Sequence, residues 1–270
     1  MNASPAYEVY AIRYGDQGED PVPASTLMLG ADPTQLIPRL AYYVWVIEGN
    51  GQTIMVDTGF APVLAERLGS RLFFPGPDAL RRLGRDPALI EDVIITHAHY
   101  DHVGNLEDFP NARFHIDTEM MPVVEDTDPC HPFFRQGYGK RDCATIRRFK
   151  AEERLIEHSR VSAPWPGIEL IHVGGHCRGQ MAVRVQTARG PVLLASDAAH
   201  LYQEWEEELP FGVFYDMAAM LEGYRTLTRL SGSRRRGMIP GHDVAVMDLF
   251  PAPAHELKGE AVALHLPPVE

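Results

Sequence analysis

Cysteine is scarce in this sequence, which contains only three among 270 residues. An odd number without a repeated C-x-x-C spacing excludes a disulfide framework and a structural zinc knuckle. No stretch approaches the roughly 18 consecutive apolar residues of a membrane span, and the first residues lack the basic-then-apolar pattern of a secretion signal. The sequence therefore predicts a cytoplasmic protein that makes no use of a membrane.

Positive charge is also in deficit, because 25 lysines and arginines stand against 37 acidic residues and leave a net charge of −12. Such a surface repels polyanions, so nucleic acid is not expected as a partner. A hydrophobic content of 45% is sufficient for a large core. We expect one domain over residues 1–270, and the sequence leaves assembly as a homodimer open.

Strand and helix patterns alternate along the chain. Residues 42–48 and 52–57 are two β-rich runs joined by Gly-Asn-Gly, which predicts a hairpin. Residues 216–230 repeat apolar side chains at helical spacing. Residues 15–38 form a long loop, of the kind that often covers a site. The pattern predicts an α+β protein with two mixed sheets packed face to face and helices outside.

The segment HAHYDH at positions 97–102 crowds three histidines and an aspartate after the apolar run at 92–96. His97 and His99 are two residues apart, so on an extended chain they point the same way. Asp101 and His102 stand where a helix could begin. Without a metal, such crowding costs charge repulsion or desolvation that nothing offsets, so the segment indicates a metal site.

A metal needs further ligands, and three candidates occupy equivalent positions downstream. His176 follows two glycines that let the backbone turn after a strand. Asp197 ends the apolar run at 192–195, and His242 follows Ile-Pro-Gly after another strand. Rigid strand ends are suitable places for ligands, so these three residues complete the candidate set.

Taken together, HAHYDH, GGHCRGQ, LLASDAAH and PGHD resemble the motifs of the metallo-β-lactamase-fold hydrolases. The resemblance implies a four-layer αββα sandwich with two divalent metal ions, Zn²⁺ or else Mn, Fe or Co. It also implies that Asp57, in the DTG turn, orients a ligand. The implied ligands are His97, His99 and His176 for one ion, Asp101, His102 and His242 for the other, and Asp197 bridging both.

Within that family, the segment at 197–211, DAAHLYQEWEEELPF, is similar to the N-acyl homoserine lactonases. The resemblance implies that a metal-bridging hydroxide opens the lactone ring of a small-molecule substrate while Asp101 carries a proton to the leaving oxygen. His200 replaces the tyrosine that binds the substrate carbonyl in those enzymes, so His200 or Tyr202 is expected in that role. The alternatives are another carboxylic ester, a thioester as in glyoxalase II, an amide, or a metal-binding module without turnover.

Two further features bear on the substrate. Arg178, beside the implied ligand His176, could bind an anionic group and shift the preference toward carboxylated lactones, whereas Cys177 is interpreted as a packing residue. Apolar segments such as 27–29 and 132–134 could line an acyl pocket or simply belong to the core.

Overall fold

Strands make up the framework of the protein, which the computed structural model describes over residues 6–128, 131–232 and 235–269. In chain order the strands are β1 Glu8–Asp16, β2 Val22–Pro23, β3 Leu36–Ile37, β4 Ala41–Gly49, β5 Gln52–Val56, β6 Arg71–Leu72, β7 Asp92–Ile94, β8 Arg113–Asp117, β9 Leu155–His158, β10 Val161–Trp165, β11 Ile168–His172, β12 Met181–Thr187, β13 Gly190–Ser196, β14 Met238–Pro240 and β15 Ala261–Ala263.

The strands form two large sheets. The first has the order β15-β1-β4-β5-β7-β8-β9, with β6 added beside β1, and the second has the order β10-β11-β12-β13-β14. Parallel pairs join β5 to β7, β7 to β8, β8 to β9 and β13 to β14, while the other pairs in these sheets are antiparallel. Both sheets are therefore mixed, as the sequence predicts.

The two sheets share one hydrophobic core. Its members include Trp45 of β4, Phe114 of β8 and Val183 of β12, which are almost completely buried. A backbone hydrogen bond of 2.8 Å from the Met181 N–H to the Thr96 carbonyl ties the start of β12 to the segment after β7. This face-to-face packing confirms the predicted sandwich and brings the ends of strands from both sheets together.

Helices cover the outside of the sheets. They are α1 Ala65–Leu68, α2 Asp78–Arg82, α3 Tyr100–Val103, α4 Met121–Val124, α5 Lys140–Ala151, α6 Tyr202–Glu206, α7 Met217–Ser231 and α8 Val246–Leu249. The predicted helix at 216–230 is confirmed as α7, and the Asp216 side chain caps it by accepting a hydrogen bond from the Ala219 N–H. No helix of the described ranges is both long and apolar enough to cross a bilayer.

Helix α5 is not predicted from the sequence. Its buried apolar positions are Cys143, Ile146 and Phe149, a narrow stripe between arginines and lysines. Phe149 stacks on Phe114 of β8 with ring centroids 4.8 Å apart, which fixes α5 against the first sheet. Packing on the sheet, rather than a strong local signal, therefore determines this helix.

Two predicted loop features are confirmed. In the turn between β4 and β5, Asn50 and Gly51 have positive φ angles of 52° and 76°, which suits a tight hairpin. The long segment at 15–38 contains the short strands β2 and β3, and its residue Leu27 lines the cavity described below. Residues of that segment therefore line the site, in agreement with the expectation that the loop lies near it.

The turn before His176 depends on close packing with α7. Gly174 and Gly175 both have positive φ, but only Gly175 is confined, because a Cβ there would lie 2.4 Å from the Met220 Cα. At Gly174 the nearest atom to such a Cβ is 3.4 Å away, at the tip of His172.

We expect Gly174→Ala to lower the free energy of unfolding by about 1 kcal/mol, the cost of the positive φ alone. Gly175→Ala should lower it by about 3 kcal/mol or more, because backbone of α7 must also move. Denaturant unfolding of the two variants, both metal-free, measures these two free energies of unfolding. Equal losses would show that contact with α7 does not constrain this turn.

Candidate metal centre

The candidate ligands converge at strand ends of both sheets. HAHYDH follows β7 of the first sheet, whereas Asp197 and His242 follow β13 and β14 of the second. All of the residues are buried. We call them the ligand cluster, and it consists of His97, His99, Asp101, His102, His176, Asp197 and His242.

One half of the cluster is made of imidazoles. His97, His99 and His176 present ligand atoms within 4.8 Å of one another, and the His176 Nε2 lies 2.9 Å from the His99 Nδ1. Burial lowers the pKa of His99 to about 4 and lowers the pKa values of His97 and His176 well below the usual range. All three rings are therefore neutral at pH 7 and have lone pairs available for a metal.

The other half contains both carboxylates. Asp101, His102, Asp197 and His242 also place one ligand atom each within 4.8 Å of the others. Burial alone would raise the pKa of Asp197, but His242, His102 and His200 hold it well below the usual range. This half is therefore anionic at its centre.

Asp197 connects the two halves. Its Oδ1 lies 3.1 Å from the His242 Nε2 and 3.4 Å from the His102 Nε2. Its Oδ2 lies 3.5 Å from the His176 Nε2 and 3.7 Å from the His97 Nε2. The Oδ2 also lies 3.2 Å from the His242 Nε2, so the carboxylate faces histidines of both halves, as a bridging ligand would.

Acceptors behind the rings fix their orientation. The Nδ1 of His102 lies 2.8 Å from the Asp57 Oδ2, that of His176 lies 2.9 Å from the Val213 carbonyl, and that of His242 lies 2.7 Å from the Ala41 carbonyl. In the neutral His176 ring Nδ1 then carries the hydrogen, so Nε2 turns a lone pair toward the cluster. This is the arrangement found behind metal-binding histidines. Burial alone would lower the pKa of His102, but Asp197, Asp101 and Asp57 raise it well above the usual value, so a metal ion at the His102 Nε2 would replace a proton.

The cluster fits a pair of divalent ions. Among the described residues, no hydrogen-bond partner is found for the Nε2 atoms of His97 and His102, although both atoms are buried. An unsatisfied buried nitrogen is costly, and a cation at this point would remove that cost. Nitrogen and oxygen donors without thiolate suit Zn²⁺ and similar ions.

Asp57 lies directly behind the cluster. Its carboxylate is fully buried and accepts hydrogen bonds from the Thr96 N–H at 2.8 Å and the Thr96 hydroxyl at 2.7 Å, besides facing His102. The two hydrogen bonds from Thr96, one to each carboxylate oxygen, hold the Asp57 Oδ2 against the His102 Nδ1. The structure therefore places Asp57 where it can orient a ligand, as the resemblance implies.

A cavity of about 460 Å³ opens above the cluster. His99, Asp101, His176, Asp197 and His242 contribute to its floor. No lysine or arginine of the described ranges lines it. Its apolar wall includes Leu27, Leu40, Phe133, Phe134, Phe211 and Phe214.

His200 and Tyr202, the two candidates for binding a carbonyl, have different positions. His200 lines the cavity, and its Nε2 lies 3.3 Å from the Asp197 Oδ2. Burial alone would lower its pKa, but Glu204 and Asp197 raise it to about 9. Tyr202 is fully buried in α6, with its N–H donating to Asp243, and it is not among the described residues that line the cavity. Tyr202 is thus not positioned for the predicted role.

Arg178 does not reach the cavity either. Its guanidinium lies 2.8 Å from the Asp128 carboxylate and also contacts Glu119 and Tyr215. Arg178 is therefore not placed to bind an anionic substrate group in this cavity, because acidic side chains of this chain pair with it. Cys177 is buried, which raises its pKa, and this agrees with a packing role.

Sequence reasoning missed the surroundings of His200. Glu204 is fully buried beside it, although its neighbours in the EWEEE run suggest only a solvated acidic surface. Tyr224 donates a hydrogen bond of 2.7 Å to the Glu204 carboxylate from α7. The available signal was a glutamate at the third position of a short helix, since such a side chain can reach back to the backbone N–H groups that precede the helix.

The fold and the ligand cluster together define a metal-dependent hydrolase. Residues 37–242 match the model of the Metallo-beta-lactamase superfamily, so the chain belongs to that superfamily. It is 25% identical over 221 residues to the N-acyl homoserine lactonase AiiA of Bacillus thuringiensis subsp. kurstaki, which covers 76% of this chain and 82% of that protein.

Solved structures support the same fold. A quorum-quenching N-acyl homoserine lactone lactonase superposes with a TM-score of 0.73 at 21% identity, covering 90% of this chain and 95% of that one. AidC, a dizinc quorum-quenching lactonase, superposes with a TM-score of 0.66 at 15% identity and covers 89% of each chain.

Replacing Asp57 should weaken metal binding without unfolding the protein. Asp57→Asn keeps the shape but removes the charge behind His102, so we expect the affinity for one ion to fall about 10- to 100-fold. Competition with a chromophoric chelator measures the change. Asp32→Asn, at an exposed carboxylate that accepts hydrogen bonds from the Thr34 N–H and hydroxyl, is the control. Unchanged affinity in Asp57→Asn would contradict an orienting role.

Proposed function

We propose that this protein is a dinuclear metal hydrolase that opens the lactone ring of an N-acyl homoserine lactone or a similar neutral lactone. The observation that carries this proposal is the position of the ligand cluster at the floor of an aromatic cavity that has no lysine or arginine among its described lining residues. The similarity to lactonases supports the same substrate class.

His97, His99 and His176 would hold one ion, and Asp101, His102 and His242 the other, with Asp197 between them. Zn²⁺ is the proposed metal, with Mn, Fe or Co as substitutes. When bound, two such ions lower the pKa of water and polarise a carbonyl oxygen.

Asp101 is the proposed proton carrier. It lines the cavity, and its Oδ2 lies 3.6 Å from the His102 Nε2 and 3.8 Å from the His242 Nε2. Burial alone would raise its pKa, but His102 holds the pKa below the usual value. The carboxylate is therefore ionised at pH 7 and can take a proton from the nucleophile and pass it to the departing ring oxygen.

The cavity wall determines which substrates are accommodated. Phe133 and Val213 are more than half exposed at the cavity, whereas Phe211 is buried against His200. An acyl chain can lie along this apolar wall while the polar ring meets the cluster. A carboxylated lactone finds no lysine or arginine in the described wall, so neutral lactones should be preferred.

Location and assembly are proposals from the sequence alone. We propose that the protein acts in the cytoplasm, on the basis of its scarce cysteines. Assembly of this protein as a homodimer stays a prediction.

Asp101→Asn should lower kcat by about 10²- to 10⁴-fold on a neutral acyl homoserine lactone, because the proton carrier is lost. Metal analysis of the same sample must show that both ions are retained. A pH-stat panel of acyl homoserine lactones, plain γ-lactones, carboxylated lactones and thioesters identifies the substrate. Hydrolysis of thioesters alone, or of none of the panel, would refute the lactonase proposal.

A further inference from the structure

His200 is held at the edge of the ligand cluster on several sides. Its ring stacks on Phe211 with centroids 3.6 Å apart and planes inclined by 11°. Its carbonyl accepts a hydrogen bond of 2.9 Å from the His242 N–H. The side chain is only 2% exposed, so the direction of each ring nitrogen is set by the packing.

The Nδ1 of His200 points away from the cluster, toward Glu204. The nearer carboxylate oxygen, Oε2, is 3.2 Å from that nitrogen. Oε2 also accepts from the backbone N–H groups of His200 at 2.7 Å and Leu201 at 3.1 Å, while Oε1 accepts from the Tyr224 hydroxyl. Glu204 is therefore a fixed acceptor with no access to solvent.

The Nε2 of His200 points into the cluster. It lies 3.3 Å from the Asp197 Oδ2, and no hydrogen-bond partner is found for it within the described ranges. Within the described ranges, no hydrogen-bond partner is found either for the buried Nε2 atoms of His97 and His102, two members of the ligand cluster. Three ligand atoms, one from each of His176, Asp197 and His200, lie within 4.8 Å of one another.

The orientation of His200 repeats that of three cluster members. His102, His176 and His242 each direct Nδ1 outward to a fixed oxygen and Nε2 inward, and His200 does the same through Glu204. Because Glu204 accepts the Nδ1 hydrogen, a metal ion at Nε2 would replace the hydrogen which that nitrogen carries in the metal-free ring. An Nε2 bound to a metal cannot donate a hydrogen bond to a substrate carbonyl.

We propose that His200 is an additional metal ligand, which binds through Nε2 beside Asp197 and His176, and that Glu204 is the residue that positions it. The proposal rests on the metal centre of the proposed function, but not on its substrate. With His97 and His99 as further ligands, this ion would have five protein donors, so it must accept a coordination number above four.

Co²⁺ titration of the metal-stripped protein tests the assignment without relying on turnover. In His200→Gln, which keeps the volume but replaces the imidazole, we expect the affinity for one of two ions to fall at least about 100-fold. The visible absorption of the Co²⁺ protein should also change, because that absorption follows coordination number and ligand type. In Glu204→Gln the affinity should fall about 10-fold, as for other residues behind a ligand.

The matched control is His172→Gln. His172 also faces a carboxylate, with its Nδ1 2.9 Å from the Asp117 Oδ2, but it lies outside the ligand cluster. It should leave both affinities and the spectrum unchanged. Circular dichroism of the metal-free variants checks folding, and His200→Gln decides the question if Glu204→Gln does not fold.

Two results would overturn the proposal. One is His200→Gln and Glu204→Gln both binding two Co²⁺ ions with wild-type affinity and spectrum while kcat falls, which would make His200 a substrate-binding group instead. The other is a crystal structure of the loaded protein with the His200 Nε2 much farther from an ion than the roughly 2.1 Å of a zinc–imidazole bond. If the wild type binds metal but opens no lactone, the substrate proposal fails while the same titration still decides the role of His200.

Discussion

The carboxylate of Asp197 is the interaction on which the site depends. It stands at the end of β13, in the second sheet, yet its oxygens face His97 and His102, which follow β7 in the first. Burial removes the solvent that would stabilise positive charge on His102, and Asp197 is the first of three carboxylates that nevertheless raise the pKa of this ring well above its usual value. The packing of the two sheets therefore brings together the ligands of the candidate metal centre.

Behind the ligands, the fold supplies acceptors from segments far apart in the chain. Asp57 follows β5, Ala41 begins β4, and Val213 lies between α6 and α7. Since the rings of His102, His176 and His242 are oriented by backbone carbonyls or by a buried carboxylate, the protein itself fixes the directions of their inward nitrogens. Fixed acceptors behind the histidines hold these rings in the orientation that metal binding requires.

Local signals made much of this architecture predictable. The Asn-Gly turn, the apolar repeat of α7 and the histidine motif each involve residues near one another in sequence, where spacing alone is informative. The features that the sequence did not reveal all involve residues whose partners are distant in the chain. Arg178 pairs with Asp128, some 50 residues earlier by number, and Glu204 is buried because Tyr224 of another helix meets it. No spacing rule shows such contacts before the chain has folded.

The backbone at the two strand ends has a consequence for stability. Asp57 and Ser196 both adopt positive φ, 61° and 47°, and Thr96 links them through hydrogen bonds of its hydroxyl at 2.7 Å and 2.9 Å. Left-handed backbone at residues other than glycine costs on the order of 1 kcal/mol or more at each position. Glycine would relieve the strain, yet it would remove the carboxylate behind His102 or the hydroxyl bonded to Thr96. At these two positions the strained backbone lowers thermodynamic stability but keeps the side chains that support the site. Substitutions intended to raise thermostability should therefore leave both residues in place.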